Sequence, residues 1–154
     1  MNDLVIAVED PATDDVRRLL ERHLAFAHEQ SPPEDVHALD SDGLQADDVT
    51  FFTARSNGEL LGVGALRRID DSHAEIKSMH TAAPARGRGV GRAMVGHLLE
   101  VARSRGCSRV SLETGTVPAF APARALYTSV GFAPCEPFGR YRVSTYSVCM
   151  TLTL

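Results

Sequence analysis

The amino-acid sequence predicts a single domain with a mixed α/β fold. The clearest local signal is a β-hairpin, because two apolar segments, residues 49–55 and 60–68, flank the turn pair Asn57-Gly58. Further strand-like segments alternate with amphipathic helical patterns. Since strands come first in a hairpin and are then separated by helices, we expect one mixed sheet rather than a doubly wound parallel sheet.

The segments before the hairpin predict a strand, a helix and an irregular stretch. Residues 4–8 form a short apolar run suited to a strand. Thr13 is a candidate N-cap for a helix that continues to about His28, with two acidic residues in its first turn. Residues 31–48 contain two prolines and a glycine and are expected to be irregular or short-helical over the surface.

The second half of the chain predicts strands separated by two helices. Residues 74–81 are a candidate strand, and the next helix begins near Val90 and ends at Gly106. The remaining predicted elements are a strand over 108–113, a helix over 122–130 closed by Gly131, and a terminal strand over 143–153 that pairs with residues near 132–137.

Composition indicates a globular protein and argues against several functional classes. The chain has 154 residues, 44% apolar and 23% charged, which suits one domain with a sizeable core. No apolar run approaches the roughly 20 residues that cross a bilayer, and the start lacks the pattern of a signal peptide, so we expect a cytoplasmic protein without a membrane partner. The pI of about 5.8 and the lack of a basic stripe argue against nucleic-acid binding.

The three cysteines, Cys107, Cys135 and Cys149, have neither metal-ligand nor redox spacing. We expect them to be reduced packing residues, and we predict no metal site.

Charge is distributed unevenly. Residues 1–50 carry 13 acidic side chains against three arginines, whereas residues 51–154 carry 7 acidic and 13 basic side chains.

The most informative stretch is residues 86–91, Arg-Gly-Arg-Gly-Val-Gly, between the predicted strand 74–81 and the following helix. A loop with so few side chains can bring successive backbone N–H groups close to an anion, and the helix start adds unpaired amides and a partial positive charge. This pattern favours a diphosphate site. An ordinary tight turn, which also uses glycine for its permissive backbone, is the alternative.

Two other phosphate-binding motifs fit this loop less well. A P-loop requires Gly-Lys followed by Ser or Thr, whereas Gly91 is followed by Arg92 and Ala93. In a dinucleotide fingerprint an acidic residue lies about 20 residues after the glycines, and Glu113 is at about that distance. The spacing of the glycines, however, does not match that fingerprint.

The loop resembles the acyl-CoA loop of the GCN5-related N-acetyltransferases (GNAT), whose pattern is Gln or Arg, two free positions, Gly, one free position, then Gly or Ala. Arg86, Gly89 and Gly91 occupy the specified positions. Residues 74–81 resemble the fourth strand of the family, and residues 123–132, which contain Leu-Tyr and end in Gly-Phe, resemble its late helix. The chain departs from the family at Phe120, where many members have Asn.

This resemblance implies a GNAT-like mixed, mostly antiparallel central sheet of six to seven strands, with helices on both faces and a splay between strands 4 and 5. It also implies acetyl-CoA as the acyl donor, without a metal. The residues implied to contact the donor are Met79, His80, Thr81, Arg86, Gly87, Arg88, Gly89, Val90, Gly91, Arg92, Ala123 and Tyr127. The stretch from about 113 to 150 resembles a bacterial subgroup of small-molecule acetyltransferases.

Acyl transfer from a thioester to an amine needs a neutral amine, an N–H aimed at the carbonyl oxygen, and a proton for the departing thiolate. The resemblance implies that backbone groups of Met79 and Thr81 contact the donor. Tyr127 matches the tyrosine that protonates the sulfur in this family, a role that a phenol can fill as general acid. The alternative for Tyr127 is a packing role with its hydroxyl satisfied elsewhere.

For the general base, the sequence offers two carboxyl groups that would face the cleft from neighbouring strands, Glu75 and Glu113. Burial raises the pKa of a carboxyl group, so either could relay a proton through water. Each could instead be a structural residue, with Arg67, Arg68 or Lys77 as an ion-pair partner. His80 is a third candidate, because its ordinary pKa suits the role.

The acceptor is expected to be a small-molecule amine, an amino acid or a related compound. The acidic first third favours a cationic amine, whereas Arg67, Arg68, Lys77 and Arg140 favour one that bears a carboxylate. Two alternatives stay open: an acyl-CoA-binding regulatory module without turnover, and a protein N-terminal or lysine acetyltransferase. A homodimer through the terminal strands is compatible with the sequence.

Overall fold

A computed structural model describes residues 3–154 and contains one seven-stranded sheet with the strand order β1-β2-β3-β4-β5-β7-β6. All neighbouring strands are antiparallel except β4 and β5, which are parallel. The predicted mixed, mostly antiparallel sheet is therefore confirmed. The strands are β1 (Leu4–Val8), β2 (Val49–Ser56), β3 (Glu59–Arg68), β4 (His73–Thr81), β5 (Arg109–Gly115), β6 (Ala133–Cys135) and β7 (Ser147–Thr153).

Four α-helices cover the two faces of this sheet: α1 (Asp14–Gln30), α2 (Ser41–Leu44), α3 (Val90–Ser104) and α4 (Ala121–Val130). On one face, the apolar side of α3, with Leu98 at its centre, packs in a core cluster with Ile76 and Leu112. On the other face, the apolar side of α1, with Leu20, packs on Val63. Helices on both faces were expected, and each strand supplies alternate side chains to the two layers.

The β2–β3 hairpin has the two-residue turn that its sequence predicts. Asn57 and Gly58 have φ values of 51° and 82°, so both residues are left-handed, which is the requirement of a type I′ turn. Asparagine and glycine are the two residues that adopt this conformation at the lowest cost. The turn therefore sets the register of the hairpin, whose second strand, β3, pairs with β4.

The opening between β4 and β5 is the feature of the fold that creates a site. The two strands pair only from His73–Arg109 to Ile76–Leu112, although β4 continues to Thr81 and β5 to Gly115. At the same point β4 contains a bulge, because its register against β3 shifts between Val63 and Ala65, and Ser78 has a positive φ of 56°. A bulge bends its strand, which turns the end of β4 away from β5.

The terminal strand is shorter than the sequence predicts, since it begins at Ser147 rather than at residue 143. The preceding segment leaves the sheet and crosses the α1 face, where Tyr141 contacts Lys77 on β4. Within residues 3–154, no helix is both long enough and apolar enough to cross a bilayer.

Candidate active site

A cavity of about 750 Å³ lies where β4 and β5 diverge. It extends from the glycine loop at the start of α3, through the opening in the sheet, to the irregular segment 31–38 and Tyr141 on the α1 face. One continuous space therefore connects the predicted diphosphate site with the side of the sheet on which an acceptor would enter.

The glycine loop presents free backbone amides to this cavity. Gly87 and Gly89 are left-handed, with φ values of 75° and 84°, and a side chain at either position would meet no atom within 4 Å, so the backbone conformation is what calls for glycine. Gly89 also precedes the first turn of α3 and has no side-chain cap. Among the described residues, no well-formed hydrogen bond is made by the N–H groups of residues 87–92. These amides can bind the oxygens of a diphosphate.

The three arginines of the loop have different positions. Arg86 lines the cavity, and its Nε donates to the carbonyl oxygen of Thr81 over 3.3 Å. Arg92 lines it too and is held by a 2.6 Å hydrogen bond from Nη2 to Ser129 Oγ on α4. Arg88 is exposed and does not line the cavity. Arg86 and Arg92 therefore lie at the cavity, and their contact with a diphosphate stays a prediction.

The end of β4 forms one wall of the opening. Ser78, Met79, His80 and Thr81 all line the cavity, and none of them pairs with β5. The backbone groups on that edge of β4 are therefore free to contact a ligand, as the resemblance implies for Met79 and Thr81. The Ser78 Oγ is buried without a hydrogen-bond partner in the described chain, in a left-handed backbone, a combination typical of functional sites.

Tyr127 lies in the opposite wall, on α4. Its side chain is 6% exposed and packs edge-on against Phe132, with ring centroids 5.9 Å apart. Its hydroxyl lines the cavity and forms no hydrogen bond to another described residue. Burial, with a smaller contribution from the charge of Glu113, raises the pKa of Tyr127 well above its ordinary value, so the phenol keeps its proton and can donate it.

Glu75 and Glu113 have different environments, although both were candidates for the base. Glu75 is 2% exposed and does not line the cavity. It accepts a hydrogen bond from the Tyr141 hydroxyl, and Lys77 Nζ and Arg67 Nη1 lie 3.5 and 3.6 Å from its carboxylate oxygens. These contacts match the structural alternative that the sequence left open for Glu75.

Glu113, in contrast, lines the cavity near the end of β5. Burial raises the pKa of Glu113 to about 7, and the nearby charge of Glu75 acts in the same direction, while a hydrogen bond from Ser147 and the charge of Lys77 oppose the rise. A carboxyl group with a pKa near neutrality can take a proton at physiological pH and release it again. Of the two carboxyl groups, only that of Glu113 belongs to a residue that lines the cavity.

His80 lines the cavity as part of a histidine pair that the sequence did not indicate. Its Nδ1 lies 3.2 Å from Nδ1 of His23 on α1, so one ring donates and the other accepts. Burial lowers the pKa of both rings to about 4, and a positive charge on His23 would lower the pKa of His80 further. Both rings are therefore neutral near pH 7. As a base, His80 is much weaker than Glu113.

Phe120 stands where many family members have Asn. Its ring packs directly on Gly115, where a larger residue would clash, and it meets Phe26 of α1 edge-on, with centroids 5.1 Å apart. Both phenylalanines line the cavity. An aromatic wall therefore takes the place of an amide that could have formed hydrogen bonds.

Two site residues escaped the sequence analysis because they lie in irregular segments without a periodic pattern. Tyr141 lines the cavity from the segment before β7, and His37 lines it from the segment after α1. Their rings meet edge-on with centroids 4.8 Å apart at the end of the cavity on the α1 face. Tyr141 belongs to a stretch that resembles a bacterial acetyltransferase subgroup, but that resemblance assigned it no role, and only the contact between the two rings places them at the site.

Most of the predicted site residues are brought together around this one cavity. Glu75 and Arg88 are the exceptions. The residues that line it are Met79, His80, Thr81, Arg86, Gly87, Gly89, Val90, Gly91, Arg92, Glu113, Ala123 and Tyr127. In the described part of the chain, no group of three or more His, Cys, Asp or Glu side chains is arranged to hold a metal ion.

A sheet opened at its parallel pair, with free amides at the start of α3, is the architecture of an acyl-CoA-dependent acyltransferase. The chain belongs to the acetyltransferase (GNAT) family, whose model matches residues 13–132. The family prediction is confirmed, and with it the general class of enzyme.

Two bacterial relatives match nearly the whole chain. One is the uncharacterized N-acetyltransferase YsnE of Bacillus subtilis (strain 168), 43% identical over 97% of this chain and 99% of its own length. The other is the uncharacterized N-acetyltransferase YedL of Escherichia coli (strain K12), 42% identical over 97% of this chain and 94% of its own. An IAA acetyltransferase of Azospirillum brasilense is 34% identical and covers 97% of both chains.

Solved structures show the same fold. A crystal structure described as an acyl-CoA N-acyltransferase from Klebsiella pneumoniae has a TM-score of 0.79 at 26% identity and covers 98% of this chain and 97% of its own. A Bacillus subtilis acetyltransferase in complex with CoA has a TM-score of 0.72 at 21% identity and covers 98% and 99% of the two chains.

Proposed function

We propose that this protein transfers an acetyl group from acetyl-CoA to the primary amine of a small molecule, by direct attack in a ternary complex. The observation that carries the proposal is the presence of Glu113 and Tyr127 in the lining of one cavity that also reaches the glycine loop. A carboxyl group that can accept a proton and a phenol that can only donate one are the two groups that aminolysis of a thioester requires.

In this mechanism each group has one task. The amides of residues 87–92, with Arg86 and Arg92, hold the diphosphate of the donor. The free edge of β4 at Met79 orients the thioester, and a backbone N–H there stabilises negative charge on the carbonyl oxygen. Glu113 takes a proton from the ammonium form of the acceptor, directly or through water, so that a neutral amine attacks. Tyr127 then donates its proton to the thiolate sulfur.

The aromatic contact at the α1 end of the cavity favours a small acceptor over a protein. His37 and Tyr141 meet across the α1 face, so the irregular segments that carry them lie against each other there. A peptide would need an open groove at that place. The IAA acetyltransferase of Azospirillum brasilense is a relative named for a small molecule, which agrees with a small-molecule role here but does not identify the acceptor. The cytoplasmic location and the homodimer stay predictions.

The proposal is tested by measuring CoA thiol release from acetyl-CoA with a panel of amino acids, polyamines and other primary amines. We expect turnover with at least one small amine, and its loss in Glu113→Gln and Tyr127→Phe variants that still bind acetyl-CoA by calorimetry. Tight binding of acetyl-CoA without turnover on any amine would instead support a regulatory module. The absence of acetyl-CoA binding would contradict the assignment of the glycine loop.

A further inference from the structure

Lys77 is a buried cation whose hydrogen bonds are incomplete. The residue is 9% exposed, and lysine is almost never buried to this extent without partners. Its Nζ donates to the Tyr141 hydroxyl over 2.9 Å, and the Glu75 carboxylate oxygen lies at a long 3.5 Å. No other described group accepts from the ammonium, which has three N–H donors. Because Lys77 lines the cavity, a ligand can complete its coordination.

The Glu75 carboxylate, the negative charge near Lys77, also contacts other groups. Arg67 Nη1 lies 3.6 Å from the other oxygen of Glu75, and the Tyr141 hydroxyl also donates to this carboxylate. One buried carboxylate is therefore shared between two cations and a phenol. Nζ lies 5.5 Å from the centroid of the Tyr141 ring, on the side of its hydroxyl. These contacts fix the position of Lys77 but leave it able to bind an anion.

Glu113 lies beside Lys77 across the opening. Ile76 and Leu112 are the last paired residues of β4 and β5, so the next residues, Lys77 and Glu113, point to the opposite face of the sheet from them, which is the α1 face. Both line the cavity, yet within residues 3–154 they form no salt bridge with each other. The divergence of the two strands keeps a cation and a carboxyl group apart on one face, with space between them.

We propose that the acceptor is a free α-amino acid, whose carboxylate binds the Lys77 ammonium while its amino group lies at Glu113. An α-amino acid carries a carboxylate and an ammonium group on the same carbon atom, which matches this pair of side chains. The inference rests on the proposed function and makes Lys77 the residue that determines specificity, with Tyr141 as its positioning residue.

The remaining walls indicate the side chain of the acceptor. Phe26 and Phe120 form an edge-on aromatic pair, and Val36 adds apolar surface from the segment after α1. Asp35 also lines the cavity and disfavours a second negative charge. Amino acids with apolar or aromatic side chains are therefore the preferred acceptors, and glutamate and aspartate are poor ones.

The first test needs no mutation. Thiol release from saturating acetyl-CoA is measured with L-phenylalanine and with L-phenylalaninamide, which has the same shape but lacks the negative charge, and the N-acetyl product is verified by mass. We expect kcat/KM for phenylalanine to exceed that for the amide by about ten- to a hundredfold, as for the loss of a charge-assisted hydrogen bond. The amide has the less basic amine, so a larger fraction of free amine cannot explain this preference.

Equal or greater activity with the amide would overturn the inference and leave the acetyltransferase proposal intact. Turnover of other amines with no turnover of any amino acid would do the same. No turnover of any amine, with acetyl-CoA still bound, would contradict the proposed function itself. The two failures are therefore distinguishable.

The second test assigns the preference to Lys77. In Lys77→Met, the ratio of kcat/KM for phenylalanine to that for phenylalaninamide is expected to fall to about one, with the KM for acetyl-CoA unchanged, and Lys77→Arg is expected to restore part of it. Arg103→Met, which removes an exposed cation from α3, is the matched control and keeps the ratio of the unmodified enzyme. A merely structural role for Lys77 would lower both activities equally, and that result would overturn the assignment. Should Lys77→Met fail to fold, the ratio of kcat/KM for phenylalanine to that for phenylalaninamide is measured in Lys77→Arg and Tyr141→Phe instead.

Discussion

Replacement of Glu113 by glutamine is expected to raise the stability of the protein while it removes activity. The pKa of Glu113 rises from an ordinary 4.5 to about 7, mainly because burial disfavours its charged form. A tenfold change in a proton equilibrium corresponds to about 1.4 kcal/mol. Holding this carboxylate ionised therefore costs the folded state up to about 3 kcal/mol at pH 8.

The sign of the pH dependence follows from the two states. The unfolded chain releases the proton near pH 4.5, whereas the folded chain keeps it until about pH 7. The penalty is absent below pH 4.5, grows between these values as the pH rises, and is complete above pH 7. Glu113→Gln cannot ionise, so its advantage in the free energy of unfolding is expected at pH 8 and absent at pH 4.5.

The same change removes the proposed base. In the unmodified enzyme, kcat/KM is expected to rise with pH through about 7, as Glu113 becomes ionised. In Glu113→Gln this limb is expected to disappear, and kcat is expected to fall by about a hundred- to ten-thousandfold. Ionisation of the acceptor amine adds its own pH dependence, which the substitution leaves in place.

Urea denaturation at pH 4.5 and pH 8, together with thiol-release profiles, checks both effects. Glu100→Gln is the matched control, because its side chain is 73% exposed on α3, and neither its stability nor its activity should change measurably. A Glu113→Gln enzyme that keeps its activity and its acidic limb would refute the assignment of the base. Equal stability gains at both pH values would refute the explanation of its pKa by burial.

Three further outcomes are expected. Tyr127→Phe should lower kcat by about ten- to a thousandfold with little effect on acetyl-CoA affinity by calorimetry, and unchanged turnover would remove this phenol from the mechanism. Gly89→Ala, at a φ of 84°, should raise the KM for acetyl-CoA but not for the amine, because a side chain strains the loop by about 1 kcal/mol. Gly96→Ala, in an open position of α3, is the control and should stabilise the helix by a similar amount. Equal KM values for acetyl-CoA in the two variants would argue against the loop as the binding site of the donor. Glu75→Gln should lower the urea midpoint, since it leaves Lys77 and Arg67 without their shared carboxylate at a cost of about 3 kcal/mol or more, and a fully stable variant would contradict the structural role.

Local sequence patterns predicted the features that depend on neighbouring residues. Asn57-Gly58 predicted the hairpin because its two residues are compatible with a left-handed turn, and the loop between β4 and α3 predicted an anion site because glycine leaves its amides accessible. Helix and strand periodicity placed Glu113 and Tyr127 on elements that meet at the opening in the sheet. Family membership followed from three such motifs in their order along the chain.

The sequence by itself thus determined the sheet, the glycine loop and the set of candidate groups, because hydrophobic period, turn chemistry and backbone freedom act over a few residues. It left Glu75 and Glu113 equivalent, as two carboxyl groups at similar positions on adjacent strands. Only the tertiary structure distinguished them, since Tyr141 lies 66 residues from Glu75 in the chain and reaches it through a segment without a pattern. Burial and charge act through space, so the different environments of Glu75 and Glu113 and the exposure of Lys77 to the cavity were decided by contacts between distant parts of the chain.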